Sequence, residues 1–194
     1  MILDILRAGR IRRRIEQATG YDFEIVLKDF FPGVAEILIL GMNTTPTIFF
    51  DKTRFKRMTD DQVAGIIAHE IGHLIDRSGF ETSRILHQGL CKALDALERS
   101  DYPDISPDKY VSLGFIMADI IYNSHQRELQ ADNASIAILD RAGYNPAGLL
   151  EALGIILLEG DIISSTDRGH PSIMIRIKIL RESIDLYLKN KKQG

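Results

Sequence analysis

Asp61-Gln-Val-Ala-Gly-Ile-Ile-Ala-His69-Glu70-Ile71-Gly72-His73-Leu74 places two histidines four residues apart, with a glutamate directly after the first. On a helix, residues four apart lie on one face, one turn along, so both imidazoles can reach a single metal ion. Glu70 is turned about a third of the way round, close enough to touch a metal-held water without displacing a ligand. The same helix carries Val63, Ala64, Ile66, Ile67, Ala68, Ile71, Leu74 and Ile75 and is apolar nearly all round, which predicts burial. Burying two histidines and a glutamate without partners costs several kcal/mol, to an order of magnitude, and a divalent cation removes that objection. From this chain's own His and Glu frequencies, chance gives roughly 0.006 copies of His-Glu-x-x-His in a chain of this length.

Just upstream, Thr59-Asp-Asp-Gln62 has the form of a capping box, and Asp60 and Asp61 suit the positive end of a helix. A helix over about 60–76 is predicted, and Gly65, Ala68 and Gly72 would let neighbouring elements approach it closely. Further upstream, Phe23-Glu-Ile-Val-Leu-Lys28, Ala35-Glu-Ile-Leu-Ile-Leu40 and Thr47-Ile-Phe-Phe-Asp51 read as three short strands, with Asn43-Thr-Thr-Pro46 as a turn. Residues 1–19 read as a helix ending at Gly20. Its arginines Arg7, Arg10, Arg12, Arg13 and Arg14 are expected to form a solvated face, or a weak contact with an acidic membrane surface or partner.

Downstream, everything reads as helix. Segments over 80–99, 108–141 and 172–190 are predicted, with a break near Asn123-Ser124 and a stop at Gly143. Pro146 is expected at the first position of another helix, and 100–107 and 159–171 as loops. A catalytic zinc site needs three protein ligands and an open position. The metzincin spacing is excluded, because Asp76 and Gly79 stand where its glycine and third histidine would be. Glu128, in Arg127-Glu128-Leu-Gln-Ala131-Asp132, is the best third ligand. Asp132, one turn on, can accept the outer N–H of a ligating histidine and fix its tautomer.

Composition bounds the rest. The chain has 194 residues, 45% hydrophobic and 26% charged, which predicts one globular domain over 1–194. Lys and Arg total 24 against 27 Asp and Glu, a net charge of -3, so a dedicated nucleic-acid binder is not expected. The single cysteine, Cys91, forms no internal disulfide and points to a reducing compartment. No apolar run approaches the ~20 residues of a transmembrane span, and the N-terminus lacks the charge order of a signal peptide. A cytoplasmic protein is the expectation. His87 and His125 read as ordinary surface or packing residues.

Three separated pieces resemble the HtpX-like and CAAX prenyl endopeptidase family of gluzincin metallopeptidases. They are Asp61 to Leu74, Glu128-Leu-Gln-Ala-Asp132 leading on to Leu139-Asp-Arg-Ala-Gly-Tyr-Asn-Pro146, and His170-Pro171 followed by Arg176-Ile177. The resemblance covers roughly residues 35–180. It implies an α+β, zincin-like fold, mostly helical, with a small N-terminal sheet and an active-site HExxH helix. It implies one Zn2+ held by His69, His73 and Glu128, with Glu70 as general base and Asp132 supporting a ligand. His170 would stabilise the oxyanion opposite Glu70, and Arg176 would orient substrate or buttress Asp132. The membrane spans of many family members are absent from this chain, so membrane-embedded or prenylated substrates do not carry over.

The expected activity is that of a metalloendopeptidase acting on a peptide or unfolded protein through a zinc-activated water. The substrate is expected to lie along an exposed sheet edge, residues 35–41, as an added strand. The competing reading is a latent or non-catalytic zinc-bound interaction domain, its cleft blocked by loop 159–171 or by the last helix with Lys189, Lys191 and Lys192. A DNA-associated protease is the weakest reading, given the balanced charge. The sequence fixes no oligomeric state.

Overall fold

A computed structural model describes residues 2–29, 34–38, 45–75, 107–159 and 171–193, with backbone alone for 36–38 and 107–123. The elements run α1 (Ile2–Thr19), β1 (Glu24–Lys28), β2 (Ala35–Leu38), β3 (Thr47–Asp51), α2 (Lys52–Arg57), α3 (Asp60–Ile75), α4 (Pro107–Arg141), α5 (Gly148–Leu158) and α6 (Ile173–Lys191). The expected helix over 80–99, with Cys91 and His87, lies outside the described residues. So do most of the two expected loops.

Three strands form one sheet in the order β1-β3-β2. β1 runs parallel to β3, with Ile25 opposite Ile48 and Leu27 opposite Phe50. β2 is antiparallel to β3, with Ala35 opposite Phe50. The central strand β3 carries fully buried residues in alternation, Ile48 and Phe50, whereas no residue of β1 is buried. Phe50 meets Phe55 of α2 edge to face, ring centroids 5.6 Å apart. Asp51 ends the strand and starts α2, its carboxylate accepting from the Arg54 amide at 2.7 Å.

Both halves of the capping box form at α3. The Thr59 amide donates to Gln62 Oε1 at 2.9 Å, and the Gln62 amide donates to Thr59 Oγ1 at 3.3 Å. From there α3 is buried on nearly every side. Its glycines are contact points: a Cβ on Gly65 would overlap the Leu149 backbone of α5, and one on Gly72 would sit 2.9 Å from Ala131 Cα of α4. α3 thus lies between α4 and α5, its flank also touching β2. One core, from Ala8 to Ile184, joins the first helix, the sheet and the last helix.

α4 is unbroken through Asn123-Ser124. Neither residue is a strong breaker, and packing along α3 overrides their modest propensity. It ends as expected at Gly143, φ 71°, where the Gly143 and Tyr144 amides donate to the Asp140 and Leu139 carbonyls. α5 begins later than Pro146. Residues 145–147 serve instead as a tie: the Asn145 amide donates to Asp61 Oδ1 at 2.9 Å, and Asn145 Oδ1 accepts from Ala147 at 3.0 Å.

The arginines of α1 are more occupied than a solvated face would be. Arg7 Nε and Arg10 Nη2 each donate to Asp60 at 2.6 Å, and Arg7 also reaches the Met58 carbonyl at 2.6 Å. Arg14 donates to the Gly143 carbonyl at 2.7 Å and lies over the Tyr144 ring. Arg12 pairs with Glu16 at 3.3 Å. Arg13 remains exposed. Among the described residues no helix is long and apolar enough to cross a membrane.

Candidate metal centre and active site

His69 and His73 project from α3, Glu128 and Asp132 from α4, and Arg176 from α6, so three helices build the site. The packing of Gly72 against Ala131 sets how close the first two helices come. His69 Nε2 and His73 Nε2 lie 3.2 Å apart. Glu128 Oε2 is 3.4 Å from His69 Nε2, and Glu128 Oε1 is 3.2 Å from His73 Nε2. The two imidazoles stand nearly perpendicular, at 81°. For bonds of ~2.0–2.1 Å in tetrahedral geometry, the edge between two ligand atoms is ~3.3–3.4 Å. The three donor separations match that edge, so these residues fit a tetrahedral N,N,O cation site.

Behind these three side chains lies a buried support. Asp132, 1% exposed, accepts from His69 Nδ1 at 2.8 Å. With Nδ1 carrying the proton, Nε2 is left as the donor facing His73 and Glu128. Arg176 grips Asp132 with two prongs, Nε to Oδ2 at 2.9 Å and Nη2 to Oδ1 at 2.6 Å. Its Nη1 is 3.5 Å from Glu128 Oε2. The sequence leaves Arg176 open between substrate and Asp132; in the structure its contacts are with Asp132 and Glu128.

Burial raises the pKa of Asp132, but its hydrogen bonds to His69 and Arg176 outweigh that and hold the carboxyl below its ordinary value. For His69, burial and the Arg176 charge favour the neutral ring; Asp132 and Glu128 outweigh both and raise its pKa to about 9. The carboxylates that favour a proton there favour a cation equally, so proton and metal compete for this donor set.

Glu70 is half-buried on α3, one residue past His69. His170 lies outside the described residues, immediately before Pro171 and the start of α6. Beside His73, a hollow of about 230 Å³ opens between α3 and α4, lined by Gly72, His73, Ile75, Arg127, Gln130, Ala131 and Ala134. Reading the sequence gave Arg127 no role. Its only signal there is its place immediately before Glu128.

The remaining candidate blockers can be placed in part. Lys191 pairs with Asp140 at 2.7 Å. Asp140 is twelve residues beyond Glu128 on α4, about 18 Å at helical rise. That tether keeps Lys191 well along the helix from Glu128.

Two histidines one helical turn apart and a carboxylate from a second helix, on an α+β zincin-like fold, define the site of a metallopeptidase. Peptidase family M48 matches residues 38–184, and the chain belongs to that family. Mitochondrial metalloendopeptidase OMA1 of Arabidopsis thaliana is 28% identical over 130 residues, covering 64% of this chain and 25% of that protein. The chain therefore spans about a quarter of the length of this relative. No solved structure gives a significant match.

Proposed function

We propose that this protein is a zinc-dependent metalloendopeptidase that cleaves peptides or unfolded proteins. The observation that carries the reading is the trio His69, His73 and Glu128, whose donor atoms approach one another to 3.2–3.4 Å from two different helices. Zinc held there supplies a Lewis acid and lowers the pKa of water towards ~7. Glu70 takes a proton from the attacking water as its oxygen bonds to the scissile carbonyl carbon. It then hands that proton to the amine nitrogen as the C–N bond breaks. Asp132 holds His69 in the Nδ1–H tautomer, and Arg176 holds Asp132. His170 is assigned to the developing oxyanion, where one donor is worth ~3–4 kcal/mol.

The substrate lies extended along β2. This strand is at the sheet edge, hydrogen-bonded to β3 on one side and packed near α3, which supports addition of a further strand. The shared core supports treating residues 1–194 as one catalytic unit. The single cysteine supports a reducing compartment such as the cytoplasm, to be read by fractionation.

The test compares wild type with Glu70→Gln and His73→Ala by elemental analysis and by cleavage of unfolded casein. Wild type is expected to hold one zinc per chain and to cleave, with a chelator abolishing cleavage. Glu70→Gln should keep zinc and lose hydrolysis by about 10²–10⁴-fold. His73→Ala should lose both. Parental cleavage by Glu70→Gln would remove the base assignment. Zinc without cleavage of any peptide by wild type, even after limited proteolysis, would leave the interaction-domain reading.

A further inference from the structure

We propose that the hollow beside His73 receives a carboxylate of the substrate, held by Arg127. The proposal rests on the metallopeptidase reading and adds to it the chemistry of the group next to the cleaved bond.

Position comes first. His73 forms a wall of the hollow and is also one corner of the donor trio, so a chain bound at the centre passes within a side chain's length of it. Asp132 and Arg176 pack against His69, and neither lines the hollow. Size is the second constraint. At about 230 Å³, the hollow is smaller than the ~300–1,000 Å³ of a small-molecule site, and suits one side chain or a chain end. Three of its lining residues, Gly72, Ala131 and Ala134, are small and leave room between Ile75, Arg127 and Gln130.

Charge decides the occupant. Arg127, Gln130, Ala131 and Ala134 recur at helical spacing along one stripe of α4, beside Glu128. Arg176 is doubly paired with Asp132, and Arg7 with Asp60. Among the described residues no carboxylate pairs with Arg127. A planar guanidinium that no described carboxylate fills matches a carboxylate with two parallel hydrogen bonds. Gln130 offers an amide donor one turn along. A basic group in the same place would meet Arg127 as a like charge.

The carboxylate has two possible sources, an Asp or Glu side chain and a peptide C-terminus, and the test separates them. Three peptide hydroxamates of one backbone would be titrated calorimetrically into the zinc-loaded full chain. One carries Glu with an amidated end, one Gln with an amidated end, and one Gln with a free C-terminal carboxylate. At least one carboxylate ligand should bind about tenfold tighter than the neutral one, the scale of a charge-assisted hydrogen bond. Tighter binding of the first identifies a side chain, and of the third a chain end. Arg127→Gln should erase the advantage with zinc content unchanged, and Arg127→Glu should reverse it towards a lysine-bearing ligand. Ala134→Leu, which fills the hollow and spares every charge, should erase it as well. Equal binding of all three ligands to zinc-loaded wild type, or a ranking that survives Arg127→Gln, overturns this subsite alone. Absence of zinc from wild type overturns the metal reading and the subsite together.

Discussion

Asp132 takes one hydrogen bond from His69 and two from Arg176 while almost wholly buried, and this fixes which nitrogen of His69 is free. Asp132→Asn keeps the size but lets the ring rotate or change tautomer. Zinc affinity is therefore expected to fall about 10–100-fold, read by competition with a chromogenic chelator, with the circular dichroism spectrum unchanged. An unaltered affinity would mean that Asp132 serves packing alone. At this scale the sequence was legible where spacing along one helix carries the information. His69 and His73 repeat at one turn, and so do Glu128 and Asp132. The pairing of Arg176 with Asp132 spans 44 positions and three helices, and no local period announces it. Arg127 went unread for the same reason: its meaning depends on which face of α3 it meets.

Among the elements, α3 is the most legible in sequence, since its capping box, apolar surface and glycines all agree on one buried helix. Gly65 shows what the agreement is for. Its missing side chain lets the backbone of α5 at Leu149 approach, and no flexible group stands there to give way. Gly65→Ala should therefore lower stability by roughly 1–3 kcal/mol, about 2–12 °C in Tm by thermal melt. A melting point equal to wild type would contradict the close approach of α3 and α5. The element ends were less legible. The start of α5 moved past Pro146 because Asn145 is held by Asp61, 84 positions away. α4 ran through Asn123-Ser124 because tertiary packing outweighs weak propensities.

For the whole molecule, three short strands were legible, but their order was not. Placing β3 between β1 and β2, parallel to one and antiparallel to the other, depends on long-range burial of Ile48 and Phe50. The basic first helix was legible as a helix and not as a fastener. Arg7 and Arg10 close on Asp60 at the start of α3, tying the first helix to the site helix. Burial raises the pKa of Asp60, but the two arginines outweigh it and hold the carboxyl below its ordinary 3.8. The sign follows from linkage: the stabilisation is complete above the unfolded value and is lost as pH falls through the lower folded value. With the Asp60 side chain 38% exposed, screening limits it to about 1 kcal/mol or less. Urea melts of wild type and Asp60→Asn should differ by a constant amount above pH ~5 and converge in stronger acid. A gap that widens on acidification would contradict this fastening.

The central claim is that two helices bring three side chains to one zinc ion. Anomalous X-ray scattering at the zinc edge, from crystals of the metal-loaded protein, tests it most directly. The account predicts one peak, ~2.0–2.2 Å from His69 Nε2, His73 Nε2 and a carboxylate oxygen of Glu128. A peak elsewhere, or one bound by the histidines with Glu128 turned away, would contradict it.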